Sequence, residues 1–469
     1  MKQSDALKIL DAGASVFLTG APGAGKTYVL NEFIREARSC GKVIAVTATT
    51  GIASTHINGQ TIHSWSGVGV APVLTDSLMR RIRARRRTSI QGADVLVIDE
   101  ISMMPAWQFD MVDRVCRSVR HKPELPFGGL QVVLSGDLYQ LPPVVPSQRD
   151  RYLIDQDETV AQFRNGYTSH GRNPDGYVTE SFVWGEFSPV ICYLTEQHRQ
   201  DDGSLLRVLT HIRRGAVTSD DVQALRERIA AKPDDDMQAV RLYPTNRQAD
   251  SLNNQRLDEI DSTAHVFVSS SQGPAMLVEH LKKSMLAPQM LVLKEGAEVM
   301  ALRNDQDHRY VNGSLGTVVG FRSEGKDADV DVAPIVKFEN GHTVTMKPVD
   351  WEITDNDDVL ASVSQIPLRC AWAITIHKSQ GMTLDAAVMD LSRVFAPGMG
   401  YVALSRVESM GGLFLEGLGR RTFEVSRAAM EADSVLSRDS EAAERRLASV
   451  GPAGFGPKDP EDEFGEALF

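Results

Sequence analysis

One stretch, "SVFLTGAPGAGKT" from Ser15 to Thr27, constrains the fold more than any other. An apolar run feeds G-x-x-x-x-G-K-T, and the residues that follow open a helix, so the order is strand, loop, helix. In that order the backbone N–H groups of the loop and of the first helical turn converge and can wrap phosphate oxygens. Gly20, Gly23 and Gly25 supply the cradle, Lys26 neutralises the β- and γ-phosphates, and the Thr27 hydroxyl ligates a magnesium ion. ATP and Mg²⁺ are therefore the expected nucleotide and metal.

Further apolar runs, "VIAVTATT", "ADVLVIDE" and "LQVVLSGD", alternate with helical stretches and end in small or polar residues. That is the pattern of an open parallel sheet, which binds ligands at the carboxyl ends of its strands. Asp99 closes "VLVIDE" where it can hold the magnesium through water, and Glu100 can orient or deprotonate an attacking water. Gln140, in "GDLYQLPPV", cannot titrate, yet it sits between the end of an apolar strand and a Pro-Pro turn. Arg199 in "LTEQHRQ" and Arg406 in "YVALSRV" are either surface ion pairs or arginines that reach the phosphates.

The chain has 469 residues, enough for two or three domains. Its net charge of -12 argues against general adhesion to nucleic acid, but about half of that charge lies after Ala429. Conversely, "RRIRARRR" (Arg80 to Arg87) is densely basic, either a solvated helix face or a phosphate contact. Cys40, Cys116, Cys192 and Cys370 show no paired spacing and read as reduced thiols. No apolar run reaches a membrane span, and "MKQSDALKIL" carries no signal core, so a cytoplasmic protein of bacterial or phage type is expected.

The expected fold class is α/β. A first domain covers residues 1–187, with an accessory element near 60–90 and a surface loop near 146–185. A second α/β domain covers 188–295 and 367–430, from strands such as "VICYLTE", "AVRLYPTN", "AWAITIH" and "AAVMDLS". Short strands with Asn-Gly and Gly turns, as in "VNGSLGTVVGF", predict a small β-barrel inserted at 296–366. Residues 431–469 read as a helix followed by a disordered acidic tail, "DPEDEFGEALF".

These segments occur together in one family. "FLTGAPGAGKT", "TIHSW", "VIDEISMM", "FGGLQVVLSGDLYQLPPV", "LTEQHRQ", "VNGSLGTV", "AWAITIHKSQGMTLD" and "YVALSRV" resemble, in this order, the Pif (petite integration frequency) DNA helicases, superfamily-one motors that move 5′ to 3′. The resemblance runs from Gln3 to about Arg427 and implies two RecA-like P-loop domains, a small accessory subdomain and the inserted barrel. It implies that Gln3 reads the adenine edge and that Gln140 lies by the γ-phosphate. It also assigns Arg199 and Arg406 to the phosphates from the second domain, and Gln380 and Gly381 to a loop linking phosphate to DNA. Thr50, Gly51, His63, Ser64, His377 and Ser379 match DNA contacts, with Thr49 as the alternative to Thr50. Trp65 is either a stacking platform or a core residue.

The implied partners are single-stranded DNA and its junctions with duplex, with the protein acting as a monomer or a DNA-induced dimer; the acidic tail, outside the resemblance, is either merely solubilising or a site that recruits a protein partner. The implied settings are DNA repair, replication, recombination and telomere maintenance, including G-quadruplex DNA. Competing readings are a RecD-like subunit of a nuclease complex and a DNA-stimulated ATPase switch that does not unwind. A binding module with a dead nucleotide site conflicts with the intact set of Lys26, Asp99, Glu100, Gln140, Arg199 and Arg406.

Overall fold

The computed structural model describes residues 1–456 except 51–52, 55–56, 58, 70, 144–155, 197–202, 234–238, 286, 306, 308, 311, 324–331 and 356–357. The chain divides into two compact units. The first is Met1–Asp221 with Ala396–Ser405 and Thr422–Phe469, and the second is Val222–Phe395 with Arg406–Arg421.

The first unit is built on a six-stranded parallel sheet. Its strands are β1 (Val16–Gly20), β2 (Ile44–Ala48), β3 (Gln60–Thr61), β4 (Val95–Asp99), β5 (Gln131–Ser135) and β6 (Val190–Leu194), in the order β3-β2-β4-β5-β1-β6. All five residues of β1 are buried, as an interior strand requires. On one side β5 pairs with it through Val16↔Val133. On the other, β6 runs alongside from Val16↔Val190 to Gly20↔Leu194.

This corrects the sequence reading, which gave "VICYLTE" to the second domain. Without β6, one edge of β1 would leave its backbone N–H and C=O groups unpaired within the core. The arginine at 199, also expected in the second domain, follows this strand and lies outside the described residues.

Helices Gln3–Asp11 and Lys26–Ser39 press Ile9, Leu10, Val29, Leu30 and Phe33 into one core with Val16, Leu18, Cys192 and Leu194. The same core takes in Ala443 and Phe455 from the C-terminal end. Helix Arg427–Val450 is capped by the Ser426 hydroxyl, which accepts from Ala429 N at 3.4 Å. It lies along β6, where the Ser440 hydroxyl accepts from Tyr193 N at 3.0 Å and Glu444 pairs with the N-terminal ammonium. This helix is thus part of the first unit; the acidic segment after residue 456 lies outside the described residues.

The span near 146–185, expected as a loop, contains helices Glu158–Ser169 and Val183–Phe187 in its described part. Asp157 caps the first, its carboxylate accepting from Thr159 N at 3.0 Å and Val160 N at 3.2 Å. Asp110, on helix Ala106–Arg120, anchors the segment: it accepts from Phe182 N and Val183 N, each at 2.9 Å, and from the Tyr167 hydroxyl. Burial raises the Asp110 carboxyl above its ordinary value, against the pull of these donors. Near 60–90 the basic run lies on helices Asp76–Arg85 and Arg87–Gln91, which bury Leu78, Ile82 and Ile90 and leave most of the arginines exposed. Such exposure serves a solvated face and a phosphate contact alike.

The second unit has its own parallel sheet, with Ala373–Thr375, Val240–Tyr243, Ala387–Leu391 and Leu413–Leu418 side by side. Two parallel sheets in two units bear out the α/β class. Where a barrel was expected at 296–366, the strands form two antiparallel sheets. Five of them make one sheet, reaching past the expected bound to include Leu368–Cys370, which pairs with Glu298–Ala301. Val349–Asp355 and Asp358–Gln365 pair instead with Ser270–Gln272 in a second sheet. The first sheet closes on a core of Leu291, Val299, Val318, Val336 and Phe338. Among the described residues no helix is long and apolar enough to cross a membrane.

Asp110→Ala should strand the buried Val183 N–H and the part-buried Phe182 N–H and cost roughly 1–3 kcal/mol. Urea unfolding checks this through a lowered midpoint; a midpoint within error of wild type would mean the 182–183 turn is held by packing alone.

Candidate nucleotide site at the end of the parallel sheet

The loop after β1 turns through three residues in backbone conformations that glycine adopts readily, Gly20 (φ 145°), Gly23 (φ 81°) and Gly25 (φ 84°). A Cβ at Gly20 would lie 2.7 Å from the Leu194 carbonyl of β6, and one at Gly25 would lie 2.0 Å from the Gln3 amide nitrogen. Gln3 therefore sits against this loop, donating its side-chain N–H to the Ala24 carbonyl at 3.1 Å, while its backbone N–H donates to Glu196 at 2.7 Å. Helix Lys26–Ser39 starts directly behind the loop and presents its unpaired N–H groups there, with Thr27 exposed in its first turn.

The Lys26 ammonium is folded onto the loop, donating to Gly20 O at 2.8 Å and Ala21 O at 3.2 Å. Burial holds it below the ordinary lysine value, opposed by the negative charges of Asp137, Glu100 and Asp99 and seconded by the positive charge of Arg213. These groups share one electrostatic neighbourhood. The oxygens of an anion would offer the ammonium stronger acceptors than two carbonyls.

Asp99 ends β4 in register with Ala48. The next residue, Glu100, occupies the left-handed region (φ 53°, ψ 41°), a conformation that costs a non-glycine residue on the order of 1–2 kcal/mol and concentrates at functional turns. The Thr49 hydroxyl donates to Glu100 O at 2.9 Å, and Thr49 N donates to Asp99 O at 3.2 Å. Thr49 is thereby tied to this turn, and Thr50 accepts from Ala53 N at 3.2 Å. The Thr27 hydroxyl and the Asp99 carboxylate are both oxygen ligands, the kind a hard cation such as Mg²⁺ takes.

Gln140 is buried in the turn after β5, with its N–H donating to Asp137 O at 3.0 Å. Sequence reasoning passed over Asp137 itself. The Asp137 carboxylate is fully buried and accepts from Arg213 Nη1 at 2.7 Å, Tyr139 N at 3.1 Å and the Tyr401 hydroxyl at 3.1 Å. The Gly136-Asp137 pair at a strand end was a usable signal for it. Arg213, in "HIRRG", had none, because nothing local distinguishes it from the exposed Arg214 beside it.

Other expected positions scatter. Trp65 is 3% exposed in the short helix Ile62–Ser66, so the structure makes it a core residue and gives it no stacking face. Ser64 on that helix is exposed and His63 half-buried, its imidazole held below the ordinary histidine value by burial. Gly51 and Arg199 lie outside the described residues. In the second unit, Ser379 is fully buried and spends its hydroxyl on Ile376 O at 2.8 Å, which removes it from any DNA surface. His377 is exposed and stacks on Phe395. Arg406 is buried against the turn that contains Gln380 and Gly381, donating to Ser379 O at 3.2 Å and Met382 O at 3.1 Å.

The chain is similar to known proteins over most of its length. The PIF1-like helicase family model matches residues 4–158, and that of the DNA helicase Pif1 2B domain matches residues 276–321. The ATP-dependent DNA helicase Pif1 of Psychrobacter sp. (strain PRwf-1) is 37% identical over 489 residues, spanning 92% of this chain and 70% of that protein. The crystal structure of Pif1 helicase from Candida albicans aligns with a TM-score of 0.80 at 32% identity, over 92% of this chain and 98% of that one. The Pif1 helicase from Bacteroides, solved in complex with ADP-AlF3 and ssDNA, aligns with a TM-score of 0.69 at 28% identity, over 96% and 97%.

Gly25→Ala should displace the Gln3 amide and strain the loop. Titration with a fluorescent adenine nucleotide should show affinity lowered roughly tenfold, as strain of 1–3 kcal/mol implies; unchanged affinity would mean that the loop is not the nucleotide seat.

Proposed function

The chain belongs to the Pif1-like DNA helicases, and from that premise we propose that it hydrolyses ATP to travel 5′ to 3′ along single-stranded DNA and to unwind the duplex it meets. The observation that carries the reading is the phosphate loop beside the acidic end of β4, in a chain that follows Pif1 helicases over about nine-tenths of its length.

The roles follow from the chemistry. Gln3, already against the loop, reads the adenine edge. The loop amides and Lys26 take the phosphates, with Lys26 exchanging the Gly20 and Ala21 carbonyls for phosphate oxygens. Thr27 and Asp99 would hold Mg²⁺, which when bound neutralises phosphate charge. Glu100, directly after the strand end, accepts the proton of the attacking water. Gln140 hydrogen-bonds the γ-phosphate or that water. Arg199 and Arg406 add positive charge as the leaving phosphate develops negative charge, with Arg406 first leaving its carbonyl partners. Gln380 and Gly381, on the turn that Arg406 braces, carry the response toward DNA.

Thr50, Gly51, His63, Ser64 and His377 are the proposed DNA contacts; Trp65 and Ser379 are withdrawn by their burial. Short hydroxyl and imidazole groups suit phosphate contacts, which fix position without reading sequence.

Strand displacement on partial duplexes bearing a 5′ or a 3′ single-stranded tail tests the reading. Unwinding from the 5′ tail alone, abolished by Lys26→Ala, is expected. ATP hydrolysis stimulated by single strands without unwinding from either tail would establish the switch instead.

A further inference from the structure

Arg213 ends helix Gly203–Arg213 and is 7% exposed, yet nothing in the proposed chemistry uses it. Its surroundings are fully organised. Nη1 donates to Asp137 at 2.7 Å and to the Tyr401 hydroxyl at 2.8 Å. Nη2 donates to the Tyr193 hydroxyl at 2.7 Å and to Asp433 at 3.2 Å. The guanidinium lies 4.2 Å from the centre of the Tyr139 ring. Tyr139 and Tyr193 in turn each donate their hydroxyl to Asp433 at 3.3 Å.

Four separate pieces of the first unit meet on this one cation: the turn after β5, strand β6, helix Met399–Leu404 and the C-terminal helix Arg427–Val450. Burial of such a set is hard to justify by stability, because an apolar cluster of similar volume serves as well or better. A buried ion network fixes geometry, and here the geometry is that of the nucleotide site. The Asp137 oxygen that receives Arg213 also receives Tyr139 N, while the Asp137 carbonyl receives Gln140 N. Gly398, at the start of the helix bearing Tyr401, packs so tightly on this turn that a Cβ would lie 2.7 Å from Tyr139 O and 2.8 Å from Gln140 O. The charges of both Asp137 and Arg213 are felt at the Lys26 ammonium.

We infer that Arg213 is a positioning residue that holds the Asp137–Gln140 turn in its working geometry, and that Asp433 makes this hold depend on the docked C-terminal helix. The helix is then a control element of ATP turnover: an event that lifts it from β6 removes one of the two carboxylates on Arg213 and loosens the turn. The inference rests on the roles proposed for Lys26 and Gln140.

The test is steady-state ATP hydrolysis by the full chain on saturating single-stranded DNA, with thermal melting of each variant. Asp433→Asn keeps the size of the side chain and removes its charge. It should leave the melting temperature and the KM for ATP near wild type and lower kcat about fivefold or more, the lower end of typical coupling between sites. Arg213→Lys keeps the charge without the planar fork and should lower kcat at least as far. The double variant should be no slower than Arg213→Lys alone, since both act through one contact.

Wild-type kcat in Asp433→Asn, or losses that track the folded fraction of each variant, would overturn the inference and leave Arg213 as a structural residue. Lys26→Ala run alongside separates the two levels. If it retained turnover, the nucleotide site itself would be misplaced and the inference would fall with it; if it is dead while Asp433→Asn is normal, the inference alone is wrong.

Discussion

Strand β1 has no exposed residue, and much of the first unit follows from that constraint. An interior strand must be paired on both edges, so β5 and β6 flank it. Strand β6 then needs a cover of its own, and helix Arg427–Val450 provides it from the far end of the chain. Because the strands are parallel, the carboxyl ends of β1, β4 and β5 open on one side, and each leads into a turn that carries charge: Lys26, then Asp99 and Glu100, then Asp137. The site is a consequence of sheet topology before it is a collection of side chains.

Charge balance at that edge decides how those turns behave. Lys26 has to lose water to reach the loop, and three carboxylates offset that loss. Asp137 loses more, being fully enclosed, and is matched by Arg213. Arg213 then serves two carboxylates, Asp137 from the nucleotide side and Asp433 from the C-terminal helix. A group shared in this way links the two sides through hydrogen bonds at fixed positions, where apolar packing would let either side slide.

What could be read from the sequence was what is written locally. The phosphate loop, Asp99 and Glu100 are contiguous with the backbone that positions them, so spacing alone located them. The placement of β6 was not legible, because it depends on a pairing between residues 16–20 and 190–194. Helix Glu158–Ser169 had a legible start, the capping Asp157, but weak periodicity hid it, since its support comes from Asp110 far away in sequence. Trp65 and Ser379 show the limit of motifs: a matching residue type says nothing of which way the side chain faces, and both face inward. Arg213 and Asp433, 220 positions apart, meet only in the fold.

Glu100, the proposed base for water attack, follows β4 directly with its backbone in the left-handed region. The most direct measurement is single-turnover hydrolysis of ATP by Glu100→Gln with single-stranded DNA present, alongside nucleotide binding. The expected result is wild-type affinity for ATP with product formation slowed about 10²-fold or more, leaving ATP trapped on the protein. Product formed at the wild-type rate would contradict it and move the chemistry away from the end of β4.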